Sequence, residues 1–462
     1  MLFQRFFLEP LAQAAYLIAD GEDAVVVDPR RDVDDLLAFA SERRLKIRWV
    51  LATHTHADFV AGLREVAAAT GARIGMGDKF AGELQCERLR DDAVLDVGGA
   101  RIRVLATPGH TMDSVCYLVQ APPGGAEPLR LCSGDTLFLG DVGRPDLAAG
   151  RGHAPRDMAR RLFASLQRSI APLPDATEVW PAHGAGSPCG TNISCEASST
   201  MAQQRLANWA LGERDVERFC ERLVSAQPPP PAYFGHVVDL NLHGPRLLAE
   251  LPLPGRQPAA ACARLAAGAV VLDVRAADAH AQGHWPGALN LGGDYKDFEM
   301  WAGALLPAEA PLVLHAASAG QAQQVWLRLL RIGKERMLAW TDELPPQTAR
   351  HPRVPAVELF AAQQKEPSLQ VLDVRRPAEF EAGHVAGAQL ATLSPALASA
   401  PAVRRLDPRR RTFVICRTGY RSSAAVAQLA AAGFADVVDV GDGMQGWLGN
   451  HLPVATGATA TS

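Results

Sequence analysis

Cysteine is sparse in this sequence, no long apolar run occurs, and neither sign of charge dominates. Eight cysteines are spread over 462 residues and never pair as Cys-x-x-Cys. Neither a disulfide scaffold nor a zinc ribbon is therefore expected, and free thiols fit a reducing compartment, with the cytoplasm as the default. Apolar residues run up to Ala19, but Glu9 and Pro10 interrupt them and no clear cleavage site follows, so neither a signal peptide nor a membrane span is expected. Lys and Arg number 46 against 50 Asp and Glu, for a formal net charge of −4. That balance excludes the basic footprint of a nucleic-acid or anionic-membrane binder, and Arg404, Arg405 and Arg409 to Arg411 read as a solvated loop. With 48% hydrophobic and 21% charged residues the composition is that of a soluble globular protein. A chain of 462 residues exceeds one ordinary core, so about two to four domains are expected.

Strand-like runs cover residues 2–8, 14–18 and 24–28, and helical spacing covers 33–44 and 59–69, the second ending at Gly71. Shorter strands follow at 102–106, 115–120 and 129–131, then an amphipathic helix over 156–168 and a strand over 178–180. Residues 201–225 read as helical. Gln227-Pro228-Pro229-Pro230-Pro231 reads as a stiff linker, and a second proline-rich join spans 251–258. Beyond it the chain repeats itself. Leu272-Asp273-Val274-Arg275 recurs as Leu372-Asp373-Val374-Arg375, and Gly283-His284-x-x-Gly287-Ala288 as Gly383-His384-x-x-Gly387-Ala388, both at an offset of 100 residues. This is a duplicated domain of the strand–helix–strand–helix kind. Three domains result: residues 1–250 with a proline-rich linker from about 226, then 256–345, then 353–454, followed by a small polar tail.

The N-terminal domain is organised around Thr53-His54-Thr55-His56-Ala57-Asp58-Phe59, where the apolar run 47–52 ends. Three later stations answer it: Thr107-Pro108-Gly109-His110-Thr111, Ser133-Gly134-Asp135-Thr136 and Pro181-Ala182-His183-Gly184. Each puts a His or Asp just after a strand-like run, where loops gather at sheet ends, so the pattern points to a metal site. These residues and their order resemble the metallo-β-lactamase superfamily. The resemblance implies an αββα sandwich over about the first half of an α/β multidomain chain, ahead of the two small repeated α/β domains.

Dinuclear hydrolases of that superfamily use His-x-His-x-Asp-His, and Phe59 stands where the last His would serve a second metal. Without it the second site keeps Asp58, His183 and a bridging Asp135, a weak set for zinc, so one metal is expected per chain. Of the remaining ligands, His54, His110 and Asp135 make two imidazoles and one carboxylate, which suits Fe(II) and oxygen, with zinc as the alternative ion. Persulfide dioxygenases of the superfamily leave the second histidine outside the ligand set, and by that resemblance His56 is placed there with Asp58 and His183. The segments Gly140-Asp141-Val142-Gly143-Arg144-Pro145-Asp146-Leu147 and Pro181-Ala182-His183-Gly184-Ala185-Gly186-Ser187 are also similar to those enzymes. This similarity implies that Arg144 binds a carboxylate of the thiol carrier. Cys189 and Cys195, just beyond His183, read as small buried hydrophobes.

In the second repeat, the strand-like Thr412-Phe413-Val414-Ile415 ends in Cys416-Arg417-Thr418-Gly419-Tyr420-Arg421-Ser422, and an alanine-rich helix follows. A cysteine there faces backbone N–H groups and a helix N-terminus, which lower a thiol pKa and hold an anionic sulfur, and Arg417 and Arg421 add positive charge. The loop resembles the rhodanese family, which implies that Cys416 carries a sulfane sulfur as a persulfide. Its shorter length favours sulfur transfer over the related phosphatase loop. The equivalent loop of the first repeat, His315-Ala316-Ala317-Ser318-Ala319-Gly320-Gln321, has neither cysteine nor arginine, with an alignment slip of one residue, and reads as a spacer or docking module.

Three functional classes follow. The first is an iron-dependent dioxygenase that oxidises a thiol persulfide with O2 to sulfite, coupled to rhodanese transfer between persulfide, sulfite and thiosulfate in sulfide detoxification. The second is a metal-dependent thioester hydrolase of the glyoxalase II type, which wants the dinuclear site that Phe59 impairs. The third is a sulfur-binding or sensing protein without catalysis. The company of an intact Cys416 loop favours the first, with small-molecule partners only; a homo-oligomer is compatible with it.

Overall fold

The computed structural model describes residues 1–124, 127–147, 151–225, 227 and 229–457. The chain divides into two units, one comprising Met1–Pro252 and Leu330–Gly333, the other Leu253–Leu329 and Lys334–Ser462. Among the described residues no helix is long and apolar enough to cross a membrane.

The first unit contains two six-stranded sheets. One runs β1 (Leu2–Leu8), β2 (Gln13–Asp20), β3 (Asp23–Val27), β4 (Lys46–Leu51), β5 (Arg73–Gly77) and β6 (Glu87–Leu89), in that spatial order, antiparallel to β3 and parallel from there on. The other comprises β7 (Val94–Val97), β8 (Ala100–Ala106), β9 (Val115–Gln120), β10 (Arg130–Gly134), β11 (Glu178–Pro181) and β12 (Ser199–Thr200), in spatial order β12-β11-β10-β9-β8-β7. Val25, Val27, Trp49 and Leu51 of the first sheet pack against Ile102, Val104, Tyr117 and Val119 of the second. A further core packs Leu105, Leu118 and Leu131 against Leu162 of the helix Pro155–Ser165 and Phe219 of the helix Val216–Ser225. Sheets inside and helices outside give the αββα sandwich. Each such buried side chain contributes about 1.5–3 kcal/mol over leaving it exposed, so these cores fix the strand ends that carry the functional loops.

Two local expectations change. The helix predicted from Phe59 begins at Leu63 and runs to Thr70. Gly62 passes so close to Arg30 that a Cβ would stand 2.1 Å from its carbonyl oxygen, and its N–H bonds to Pro29, so residues 59–62 are committed to loop contacts. The helical stretch 201–225 is broken into Met201–Ala207, Trp209–Gly212 and Val216–Ser225. Residues 226 and 228, on which the predicted linker falls, lie outside the described residues, as does the tail from 458. The prolines do not end the first unit: the helix Phe234–His243 belongs to it, and the division falls at Pro252 in the second proline-rich join.

In the second unit the two repeats form parallel sheets. The first holds β13 (Val270–Asp273), β14 (Leu289–Asn290), β15 (Leu312–His315) and β16 (Met337–Thr341), ordered β14-β13-β15-β16. The second holds β17 (Arg353–Val354), β18 (Gln370–Asp373), β19 (Gln389–Leu390), β20 (Thr412–Ile415) and β21 (Val437–Val440), ordered β17-β21-β20-β18-β19. Asp273 pairs with His315 as Asp373 pairs with Ile415, so the 100-residue offset holds through the central strands. Ala316 therefore occupies the place of Cys416, and the expected slip of one residue is absent.

Candidate metal centre and sulfur-transfer loop

The first unit gathers its ionisable residues at strand ends: Asp28 after β3, His54, His56 and Asp58 after β4, His110 after β8, Asp135 after β10 and His183 after β11. All are buried. Gly134 turns the chain out of β10 with φ +55°, and a Cβ there would stand 2.5 Å from Thr53 Oγ1, so a glycine lets the two loops meet.

The nitrogens of His54 and His110 are assigned by their partners. His54 Nδ1–H donates to Thr53 Oγ1 (3.0 Å), and the Thr53 hydroxyl donates to Asp28 Oδ2 (2.8 Å). His110 Nδ1–H donates to the carbonyl of Arg144 (2.8 Å). Both Nε2 lone pairs then point at Asp135 Oδ2, from 3.7 Å for His54 and 3.5 Å for His110. The other oxygen, Oδ1, accepts from His183 Nδ1–H at 2.7 Å. His110 Nε2 and Asp135 Oδ2 are buried without a hydrogen-bond partner. A metal bound at about 2.0–2.2 Å holds its ligand atoms roughly 3.0–3.5 Å apart, so this triad fits an ion after a shift of a few tenths of an ångström.

Charge agrees with geometry. Burial lowers the pKa of His54, helped by His56 and opposed by Asp135, and burial lowers His110 likewise. Burial would raise Asp135, but His183 and His54 outweigh it and hold the carboxyl well below its usual range. Two neutral imidazoles thus face an ionised carboxylate. For His183 burial opposes the charged form, yet Asp135 and Asp58 flank the ring and push its pKa well above the ordinary value.

His56 is turned otherwise. Its Nε2–H donates to Asp28 Oδ1 (2.9 Å), and its ring lies 4.3 Å from that of Phe59. Phe59 is fully buried, with its ring 6.2 Å from that of His183. His183 Nε2 lies 2.8 Å from Asp58 Oδ2, and Cys189 joins these two in a cluster whose ligand atoms lie within 4.8 Å of one another. Cys189 is buried, as expected of a small hydrophobe, and burial, then Asp58, push its thiol pKa well up, but its neighbours are polar. Cys195 is exposed.

Two residues of the site, Asp28 and Asn241, lack a local signal, and a third, Cys189, carries one only as a buried hydrophobe. Asp28 accepts from Thr53 N–H, Thr53 Oγ1–H and His56 together. Its one clue is its position at the end of Val25-Val26-Val27, beside the strand that delivers His54. Asn241 donates to the carbonyls of His56 (2.9 Å) and Phe59 (3.0 Å) and accepts from Ala61 N–H (2.9 Å), pinning the histidine loop from a distant helix.

Arg144 requires a correction. It is fully buried; its guanidinium grips Asp146 in two bonds (2.7 and 2.8 Å) and donates to Pro188 O (3.1 Å). A side chain so engaged is not placed to bind a substrate carboxylate. Through its carbonyl it orients His110 instead. Beside the loops a cavity of about 270 Å³ is lined by apolar Met112, Leu147 and Val238 together with Thr55, Asp113 and Lys79.

In the second unit Cys416 lies between β20 and the helix Tyr420–Ala431, fully buried. Its sulfur accepts from Gly419 N–H at 3.1 Å and stands 3.5 Å from Ser422 Oγ. Arg421 is held by two 2.7 Å bonds to Glu379 and faces the ring of Trp301 at 5.7 Å, while Arg417 is exposed. In the first repeat Gln321 fills the loop, accepting from Ala317 N–H (2.9 Å) and donating to Val274 O (3.1 Å).

Comparison with known proteins agrees with these two halves. The model of the metallo-beta-lactamase superfamily matches residues 8–183, and that of the rhodanese-like domain matches residues 258–340 and 356–450. A hydroxyacylglutathione hydrolase of Anaeromyxobacter dehalogenans is 35% identical over 194 residues, covering 42% of this chain and 69% of that protein. A beta-lactamase hydrolase-like protein of Xylella fastidiosa is 27% identical over 52% of this chain, which spans 60% of that relative's length. The crystal structure of a metallo-beta-lactamase from Staphylococcus aureus subsp. aureus COL has a TM-score of 0.65 and 30% identity, covering 74% of this chain and 99% of that one. The chain belongs to the metallo-beta-lactamase superfamily, with two rhodanese-like domains following that fold.

Proposed function

We propose that the chain is a persulfide dioxygenase joined to a sulfurtransferase. The metal domain would take a low-molecular-weight thiol persulfide, O2 and water to thiol and sulfite. Cys416 thiolate would attack the outer sulfur of a second persulfide, releasing thiol, and the resulting cysteine persulfide would yield that sulfur to sulfite as thiosulfate. The observation that carries this reading is the triad of His54 Nε2, His110 Nε2 and Asp135 Oδ2, with a buried Phe59 standing next to the neighbouring His183. One Fe(II) per chain, with Zn2+ as the alternative ion, would supply the oxygen chemistry there. The chain's own residues do the positioning. Thr53 and Asp28 fix the face of His54, the Arg144 carbonyl fixes His110, and His183 orients Asp135. The adjoining cavity, lined by Thr55, Thr111 and Lys79, would take the thiol carrier.

A second reading, a thioester hydrolase of the glyoxalase II type, is favoured by one observation: Asp58, His183 and Cys189 form a second ligand cluster. Metal analysis of anaerobically purified protein, with oxygen uptake on glutathione persulfide, separates the two. The dioxygenase reading expects one iron per chain and loss of both metal and oxygen uptake in His110→Ala or Asp135→Ala. Two zinc ions, one of them lost in Cys189→Ala, with hydrolysis of a glutathione thioester and no oxygen uptake, would establish the hydrolase instead.

A further inference from the structure

A second group of histidines lies in the first rhodanese-like repeat, apart from the metal centre and from Cys416. His280 ends the helix Ala277–Gln282, His284 follows it, and His351 comes from the segment after β16. Their ligand nitrogens all lie within 4.8 Å of one another. His280 is fully buried; its Nδ1–H donates to Asp273 Oδ2 (3.0 Å), so its Nε2 carries a lone pair, and that atom has no partner. His284 donates through Nδ1–H to the carbonyl of His280 (2.8 Å), which again leaves Nε2 as the lone pair. Neither ring nitrogen of His351 has a hydrogen-bond partner. Buried imidazole nitrogens left without partners are costly unless something satisfies them.

The other repeat shows what the fold itself requires. There Phe380 occupies the place of His280 and stacks on His384, with ring centroids 3.7 Å apart at 11°. His384 makes the same Nδ1–H bond to the preceding carbonyl (2.9 Å). His280 and His284 keep that stack, at 3.9 Å and 18°. The frame therefore needs an aromatic ring at this position and no second imidazole. Ala349 pairs with His284 as Ala455 pairs with His384, so His351 matches Gly457 and is an addition of the first repeat.

From this we infer that His280, His284 and His351 form a binding site for a divalent transition-metal ion of the zinc class. Three imidazoles suit Zn2+, Co2+, Ni2+ or Cu2+ better than hard cations, and a three-histidine set leaves a fourth position open. Asp273 fixes the ring of His280 as an outer carboxylate does behind a metal-bound histidine. A tetrahedral ion holds its nitrogens about 3.3 Å apart and needs each ring to aim its lone pair at it, so the His280–His284 stack, with its near-parallel planes, must open for both rings to share one ion. Entry is open, because His284 and His351 line a cavity of about 350 Å³ and His351 borders a second of about 690 Å³. Binding would clamp the segment between the repeats onto the first of them, giving the repeat that lacks the sulfur loop a task of its own.

The test uses the full-length chain stripped of metal and titrated with Zn2+ or Co2+, comparing the native protein with His351→Ala and His280→Phe. The second substitution installs the residue that the other repeat already carries, so it keeps the stack and removes one ligand. The expected result is one ion fewer per chain in each variant at micromolar metal, with affinity at this site weakened at least about 100-fold, more than loss of an outer partner costs. The Co2+ absorption band of the nitrogen site should vanish with it, while ion content at the His54–His110–Asp135 centre stays unchanged. Equal stoichiometry and affinity in the native chain and His351→Ala would overturn the site, whatever the folding of His280→Phe.

Discussion

The two rhodanese-like repeats share a frame and differ in what it holds. In both, the aspartate ending the first central strand grips the arginine two residues on, and that arginine donates to the glycine carbonyl before the repeated histidine, Gly283 in one and Gly383 in the other. Leu-Asp-Val-Arg and Gly-His-x-x-Gly-Ala thus brace the sheet against a helix end, and their recurrence reports architecture. Chemistry is carried by the positions that differ: Cys416 against Ala316, Arg421 against Gln321, Glu379 against Ala279, Phe380 against His280. A duplicated domain can keep its fold through one set of residues while exchanging its site through another.

Cys416→Ser should produce the largest effect. A hydroxyl cannot carry sulfane sulfur, so sulfur transfer should fall at least about 1,000-fold. Full-length protein given excess persulfide should then accumulate sulfite in place of thiosulfate, at an unchanged rate of oxygen uptake, as read by chromatography beside an oxygen electrode. If thiosulfate persists, the second repeat is not the sulfur carrier and the contrast between the repeats loses its functional meaning.

A smaller effect is expected on placing the cysteine in the other repeat. Ala316→Cys, made in a Cys416→Ala background, should restore less than about 1% of transfer, because Gln321 fills that loop and the loop itself carries no arginine. Substantial recovery would mean that the backbone frame alone activates the thiol.

What could be read from the sequence follows the same division. The strand-end stations of His54, His110, Asp135 and His183 and the 100-residue repeat are patterns within the chain, and the structure brings all four stations together, His183 through its bond to Asp135. Asp28 and Asn241 could not be read, because each acts across a fold whose neighbours are set by sheet order and not by spacing, whereas Cys189, read as a buried hydrophobe beyond His183, is buried but also clusters with Asp58 and His183. Arg144 takes its expected carboxylate role from the similarity of its segment to persulfide dioxygenases, and that similarity does not show the partners, Asp146 and Pro188, that the fold gives its guanidinium. The helix expected from Phe59 failed because tertiary contacts of Ala61 and Gly62 override periodicity.

The smallest expected effect concerns the Arg421–Glu379 pair, which the first repeat lacks. Burial would raise the pKa of Glu379, but its bonds to Arg421 outweigh that and bring it down to about 2. A carboxyl with a depressed folded-state pKa adds stability that is fully present above its unfolded value, near 4.5, and is lost as pH falls from there toward 2. The full shift would correspond to about 3 kcal/mol, but Glu379 is 31% exposed, so solvent screening leaves about 1 kcal/mol. Arg421→Gln, which copies the first repeat, should remove this contribution. Urea unfolding of the native chain and the variant at pH 6 and pH 3 gives the comparison. The native chain should lose about 1 kcal/mol more than Arg421→Gln over that interval, since every other titrating group is common to both. Equal losses would show that the pair contributes nothing to stability and that Arg421 is held in place for Cys416 alone.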